Sequence, residues 1–226
     1  MGEAMKHTLG QKMAAEFAGT LLLLCAIVGS GIMAERLCAG NTGLALLVNV
    51  LAIAGALTAI LLALIPVSGA HLNPVVTLVD RLLGRMSNRD AAGYVLAQFA
   101  GAVSGTMLAN GMFGLRLVQR STHARHGAGV LVGEFVATFG LLLIIWGCAR
   151  SRPTAVPFAV GGYILGAIWF TSSTAFANPA VTVARTLTDT FTGIRPVDAP
   201  AFVAVELAAG LVAVPVLRWL FGGLAE

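Results

Sequence analysis

The sequence predicts an all-α membrane protein in which six transmembrane helices and two re-entrant half-helices form an inverted repeat. Two observations carry this. The 226 residues are 58% hydrophobic and 11% charged, with a mean hydropathy of +0.88, far too apolar for a soluble globular domain. An Asn-Pro segment is also written twice, as GAHLNPVVTLVDRL (Gly69 to Leu82) and FANPAVTVARTL (Phe176 to Leu187).

A hydrocarbon core of ~30 Å takes about 20 residues of helix. Six windows of that kind lack strong charge: Met13 to Met33, Thr42 to Ile65, Ala91 to Gly114, Ala128 to Ala149, Ala155 to Ala177 and Ala199 to Leu217. They are continuously apolar rather than alternating, which excludes strands. The first follows Lys6 and Lys12 in the manner of a secretory signal. It extends to Met33, however, and similar spans follow, so it reads as a retained helix. In the third window Gly101 and Gly105, with Ala97 and Ala109, give a small-residue face for close helix packing.

The two Asn-Pro segments supply the remaining elements. Asn is among the best N-cap residues, and Pro is favoured at the first helical position, where its missing N–H costs nothing. Each segment therefore starts a helix. Neither VVTLVDRLLG after Pro74 nor AVTVARTLTD after Pro179 can cross a bilayer before charge and Gly intervene, so both read as half-helices.

AAEFAGTLLLL (Ala14 to Leu24) recurs as VGEFVATFGLLLII (Val132 to Ile145), matching Glu16 to Glu134, and AQFAGA (Ala97 to Ala102) recurs more weakly as VELAAG (Val205 to Gly210). Residues 1–226 read as a single transmembrane domain, of an architecture used by channels and transporters, with repeat halves of approximately 1–118 and 119–226. Each half holds three spans, an odd number, so the second enters from the opposite face. An even total leaves both termini on one side. With the termini inside, that side carries Lys6, Lys12, Arg81, Arg85, Arg89, Arg150, Arg152 and Arg218, against Arg36, Arg116, Arg120, Arg125, Arg185 and Arg195 outside. The Arg116 to Arg125 connection is the main exception to a cytoplasmic placement of both termini.

Half-helices entering from opposite faces meet N-terminus to N-terminus. Their positive dipole ends then point into a shared lumen and disfavour cations. With the Asn73 and Asn178 side-chain oxygens capping, the amide N–H groups are left to donate to a passing neutral solute. Glu16 and Glu134 are placed to accept hydrogen bonds from the non-helical backbone, which is tolerated at such depth only when buried or lining water. Glu206 is either a satisfied packing partner or a proton carrier.

Such a site selects without bond-making, and no nucleophile–base pair, metal cluster or phosphate loop points to an enzyme or a cofactor. Cys25, Cys38 and Cys148 give neither a disulfide framework nor a metal site, and His123 and His126 lack metal spacing. The basic residues, net +4, are scattered over connections and do not form a nucleic-acid surface. The alternative reading is a proton- or ion-coupled secondary transporter, which also uses broken helices but needs titratable groups along its path.

SGAHLNPVVT (Ser68 to Thr77), FANPAVTVAR (Phe176 to Arg185), the duplicated Glu-Phe starts and AQFAGA together resemble the major intrinsic protein family of aquaporins and glycerol facilitators, over nearly the whole chain. The resemblance implies an aquaporin-like fold and passive passage of water or small uncharged solutes. It also implies homotetramers with one pore per protomer, in the bilayer of the inner (plasma) membrane. The two boxes correspond to Asn73, Pro74, Val75 and Asn178, Pro179, Ala180. Val75 replaces the family's usual Ala, either as a neutral variation or with methyls that narrow the midpoint.

Carried over by spacing, the family's narrowest ring falls on Ile53, Gly166, Ala175 and Val181. Val181 stands where the family almost always has Arg, which removes a fixed charge and a donor. Gly166 implies a wide ring suited to glycerol-sized or larger solutes. Arg185 lies nearly two turns along its half-helix, roughly 10 Å from the midplane at ~1.5 Å per residue, too far to fill that place without reshaping the loop. Asp80 is its counterpart in the first half. The pair are either interface anchors or a charged vestibule ring, and His71 is either structural or pore-gating. The second box also resembles a bacterial subgroup of aquaglyceroporins associated with arsenic resistance, which implies arsenous acid and methylated arsenicals as solutes beside glycerol and some water.

Overall fold

Thr8 opens the first helix through a capping box: its hydroxyl accepts from the Gln11 backbone N–H, and the Gln11 side chain accepts from the Thr8 N–H. From there α1 runs over Leu9–Leu37. The computed structural model describes residues 7–222, so Lys6, counted above among the inward charges, lies outside the described residues. The remaining long helices are α2 (Thr42–Ser68, capped by Asn41), α4 (Asn88–Met112, capped by Ser87), α5 (Ala128–Ser151), α6 (Val156–Phe170, preceded by a 3-10 turn at Pro153–Ala155) and α8 (Ala199–Phe221). Two short helices intervene, α3 (Pro74–Leu82) and α7 (Pro179–Ala184), the latter continued by a 3-10 turn at Arg185–Leu187. Among the described residues, six helices are long and apolar enough to cross a membrane.

The fifth span ends at Phe170, short of the expected Ala177. Thr171 turns extended, and Thr174, Ala175 and Ala177 take positive φ. Hydropathy could not mark this end, because Ala175, Phe176 and Ala177 are apolar and buried yet belong to the re-entrant loop.

Helices α1 and α4 make the most extensive contact in the bundle, and α5 packs against α8. Glycine allows the first approach: a methyl at Gly101 would strike the Phe17 carbonyl, and one at Gly105 would strike the Leu21 carbonyl. The half-helices insert between these pairs, α3 against α4 and α8, α7 against the same two helices. Connectivity puts α3 on the side of the described chain ends and α7 on the far side.

Candidate functional site

Each half-helix is started by its Asn. The Asn73 Oδ1 accepts from the Val75 N–H at 2.9 Å, and the Asn178 Oδ1 accepts from the Ala180 N–H at 3.0 Å and the Val181 N–H at 3.4 Å. The amide groups are not left wholly free, as the spacing suggested. The Asn73 Nδ2 donates to the Ala177 carbonyl at 2.7 Å and the Asn178 Nδ2 to the Leu72 carbonyl at 2.8 Å. An amide has two N–H donors, so each Asn keeps one unengaged beside the cavity that it lines. The sequence could not give this, since the acceptors lie 104 and 106 residues away along the chain.

The loops leading to these caps are strained. Ala70, Leu72, Thr174, Ala175 and Ala177 all have φ between 46° and 60°, a region that L side chains avoid unless the surroundings impose it. Buried carboxyls do the imposing. Glu16 accepts from the Ser68 hydroxyl (2.7 Å), the His71 N–H (2.9 Å), the Leu72 N–H (2.7 Å) and the Gln98 amide (2.8 Å). In the second half Glu134 accepts from the Phe176 N–H at 3.2 Å and from the Ala177 N–H, while Glu206 accepts from the Asn178 N–H (3.1 Å) and the Thr182 hydroxyl (2.6 Å). Glu206 is thus tied to the loop by one oxygen, and its Oε2 has no partner among the described residues. Each such hydrogen bond contributes about 0.5–1.5 kcal/mol, and together they offset part of the strain.

A cavity of about 710 Å³ runs past both caps, from Thr42, Phe191 and Thr192 at the far side to Asp80, Arg85 and Pro153 at the other. Ile53, Ala175, Val181, Asn73, Asn178 and His71 line it; Gly166 does not. The face that α6 turns inward carries Val160, Ile164 and Ile168, so branched side chains line the wall that Gly166 was expected to leave open. Counting back from Asn178 fixed the position but not the face, and a two-residue offset turns a helix position through about 200°. Val75 is fully buried among Val79, Leu142, Trp146, Ala213 and Leu217, away from the lumen, and its neighbour Val76 faces the cavity instead. Pro74, Pro179 and Ala180 are buried in the half-helices.

The mouths differ in charge. At the first-half mouth the Asp80 carboxylate lies 3.4 Å from the Arg85 Nε and 3.9 Å from the His71 Nε2, while the His71 Nδ1 is 3.1 Å from the Thr77 hydroxyl. At the far mouth Arg185 is 6% exposed and lines the cavity. Its guanidinium carbon stands 3.4 Å from the Phe176 ring centre, with Nε donating to the Thr192 carbonyl. The rise along α7 measured backbone alone. Side chains lean toward a helix N-terminus, and an arginine is long enough to recover much of the distance.

Arg125, unforeseen as a site residue, joins it from the connection before α5. Its guanidinium carbon is 5.0 Å from the same ring, and it donates to the Gly193 carbonyl (2.8 Å) and the Thr174 hydroxyl (3.1 Å). Burial lowers its pKa to about 10, against an opposing pull from Glu134, and so leaves it charged at neutral pH. Asn49, which bonds the Ile27 carbonyl (3.0 Å) and the Ser30 hydroxyl (2.8 Å), adds a polar group to the same lining.

The chain is similar to known proteins in sequence and in fold. Residues 3–156 match the family described as major intrinsic protein. The chain is 49% identical over 212 residues to aquaglyceroporin AqpS of Rhizobium meliloti, covering 94% of this chain and 91% of that protein. It is 35% identical over 194 residues to aquaporin NIP1-4 of Oryza sativa subsp. japonica, covering 82% and 69%. Among solved structures, the aquaglyceroporin from Plasmodium falciparum superposes with a TM-score of 0.67 at 23% identity, over 95% of this chain and 96% of that one; at that identity the likeness concerns the fold.

Proposed function

This chain belongs to the major intrinsic protein family, whose members are passive channels for small solutes, and from that premise we propose that it conducts glycerol-like polyols, undissociated arsenous acid and related methylated arsenicals, with some water. The observation that carries this is the two-sided lining. Ile53, Leu57, Ile164, Ile168 and Val181 make apolar wall, while Asn73, Asn178, Arg125 and Arg185 supply donors. A small polyhydroxylated neutral molecule presents hydroxyl oxygens and an uncharged body to such a wall, and it needs little desolvation compared with an ion.

Asn73, Pro74, Asn178 and Pro179 set the two half-helix starts; Ile53, Ala175 and Val181, with Ile168 from α6, form the filter. Glu16 and Glu134 hold the loops, and Asp80 and Arg185 are vestibule groups. The cavity passes between the helices of a single chain, which fits one pore per protomer; the assembly is a homotetramer, in the inner membrane with both termini cytoplasmic. The test is stopped-flow light scattering on proteoliposomes, comparing water, glycerol and arsenous acid with and without a proton gradient. Downhill flux indifferent to the gradient is the expected result, and gradient-driven accumulation overturns the channel reading.

A further inference from the structure

The far mouth holds two cations with no carboxylate within ion-pair distance of either guanidinium among the described residues; Glu134 acts on Arg125 only from behind the loop, and Asp198 meets the Arg125 backbone N–H, not its side chain. Arg125 and Arg185 come from separate elements yet place their guanidinium carbons 5.0 and 3.4 Å from the centre of one ring, that of Phe176. Ion pairs among the described residues join His71 and Arg85 to Asp80 and Arg195 to Asp198; neither of the two arginines takes part in one. The Arg185 side chain is nine-tenths buried and faces the cavity, with only Nε engaged; its terminal nitrogens donate to no described acceptor. Two like charges confined together repel, and an unpaired buried charge is costly.

The geometry points to a binding site for a small oxyanion, such as a carboxylate, nitrate or inorganic phosphate, held between Arg125 and Arg185 at the far mouth. The guanidinium fork matches oxyanion geometry and can donate two parallel bonds. Access is open, since exposed Thr42 and Gly43 line the same end of the cavity. Onward passage is not, because Ile53, Ile168 and Val181 offer nothing to replace the anion's water. The anion therefore stops at the mouth and stands in the solute path, where it competes with neutral solute. This consequence rests on the channel reading; the binding itself does not.

Two measurements separate them. The purified full chain in nonionic detergent is melted with sodium nitrate or sodium phosphate against sodium chloride at equal ionic strength. At tenfold excess over Kd the Tm rises by about 3 °C in the wild type, and the rise is lost in Arg185→Gln and reduced in Arg125→Gln. Identical melting in all three salts, or a full shift in both variants, overturns the site. In proteoliposomes, nitrate lowers glycerol flux at least about twofold, and in Arg185→Gln the ratio of flux with and without nitrate returns to one. A nitrate-dependent Tm without any glycerol flux in anion-free vesicles supports the site and removes the polyol reading. Binding with nitrate-insensitive flux overturns the occlusion.

Discussion

Arg185 lies face-on to Phe176, its guanidinium carbon 3.4 Å from the ring centre, and the contact returns a cation to the pore lining beside an uncharged Val181. The position after the second box thus carries no charge, and a guanidinium enters the lining from one turn later. An arginine at that position would add a third guanidinium to a mouth that already holds two. Val181→Arg is expected to cut glycerol permeability by about tenfold and water by much less, since pore diameter and lining donors set selectivity. Stopped-flow shrinkage in the two osmolytes reads the ratio; an unchanged ratio would take Val181 out of the filter.

Asn73 and Asn178 each cap one half-helix and each bond the other's loop. Replacing either by Ala removes a cap worth about 1–2 kcal/mol and leaves a buried carbonyl without its donor, at a further cost of about 1–3 kcal/mol. Both variants should therefore melt well below the wild type, and by similar amounts because the bonds are reciprocal. Thermal unfolding in detergent checks this, and a wild-type Tm in either variant would show the cross-bonds to be idle.

At Gly105 the α1 backbone leaves no room for a side chain: a methyl would overlap the Leu21 carbonyl and come within 2.9 Å of the Leu24 Cβ. Gly105→Val has to push apart the most extensive helix contact in the bundle. Overpacking of this kind typically costs about 1–3 kcal/mol, more where rigid backbone is the obstacle. At Gly162, by contrast, nothing lies within 4 Å of an added methyl, so Gly162→Ala serves as the matched control. Size-exclusion profiles and Tm should separate the two.

Asp198, just ahead of α8, is held below its ordinary pKa of 3.8, first by the Arg195 side chain and also by the Arg125 backbone N–H. A carboxyl depressed on folding contributes stability that is complete above its unfolded pKa and is lost as pH falls through its folded one. Wild-type Tm should accordingly drop below about pH 4 more steeply than that of Asp198→Asn, which starts lower and lacks this component. Parallel acid-side curves would refute the assignment.

The spans and half-helices were legible because length, continuous hydropathy and the Asn-Pro cap each have a direct physical meaning. The end of the fifth span was not: Ala175 to Ala177 are apolar for protein burial, and hydropathy reads lipid and protein interior alike. Glu16 and Glu134 were legible through the repeat, which places each one ahead of an unpaired loop. Arg125 was invisible because nothing periodic locates a residue in a connection, so it registered only as a charge on the wrong side. Gly166 is absent from the lining for a different reason. A count along the chain assumes a constant loop, whereas the face a helix presents changes with every residue added or lost.

The crossed bonds from Asn73 to the Ala177 carbonyl and from Asn178 to the Leu72 carbonyl also set an order in time. A ribosome delivers the first loop, with its cap and its Glu16 anchor, about a hundred residues before the acceptor at Ala177 exists. Until then the Asn73 amide has no such protein partner at a depth where unsatisfied polar groups are expensive. The middle of the pore is thus completed only late in synthesis, and a nascent first half has every reason to remain open to water until the second half arrives.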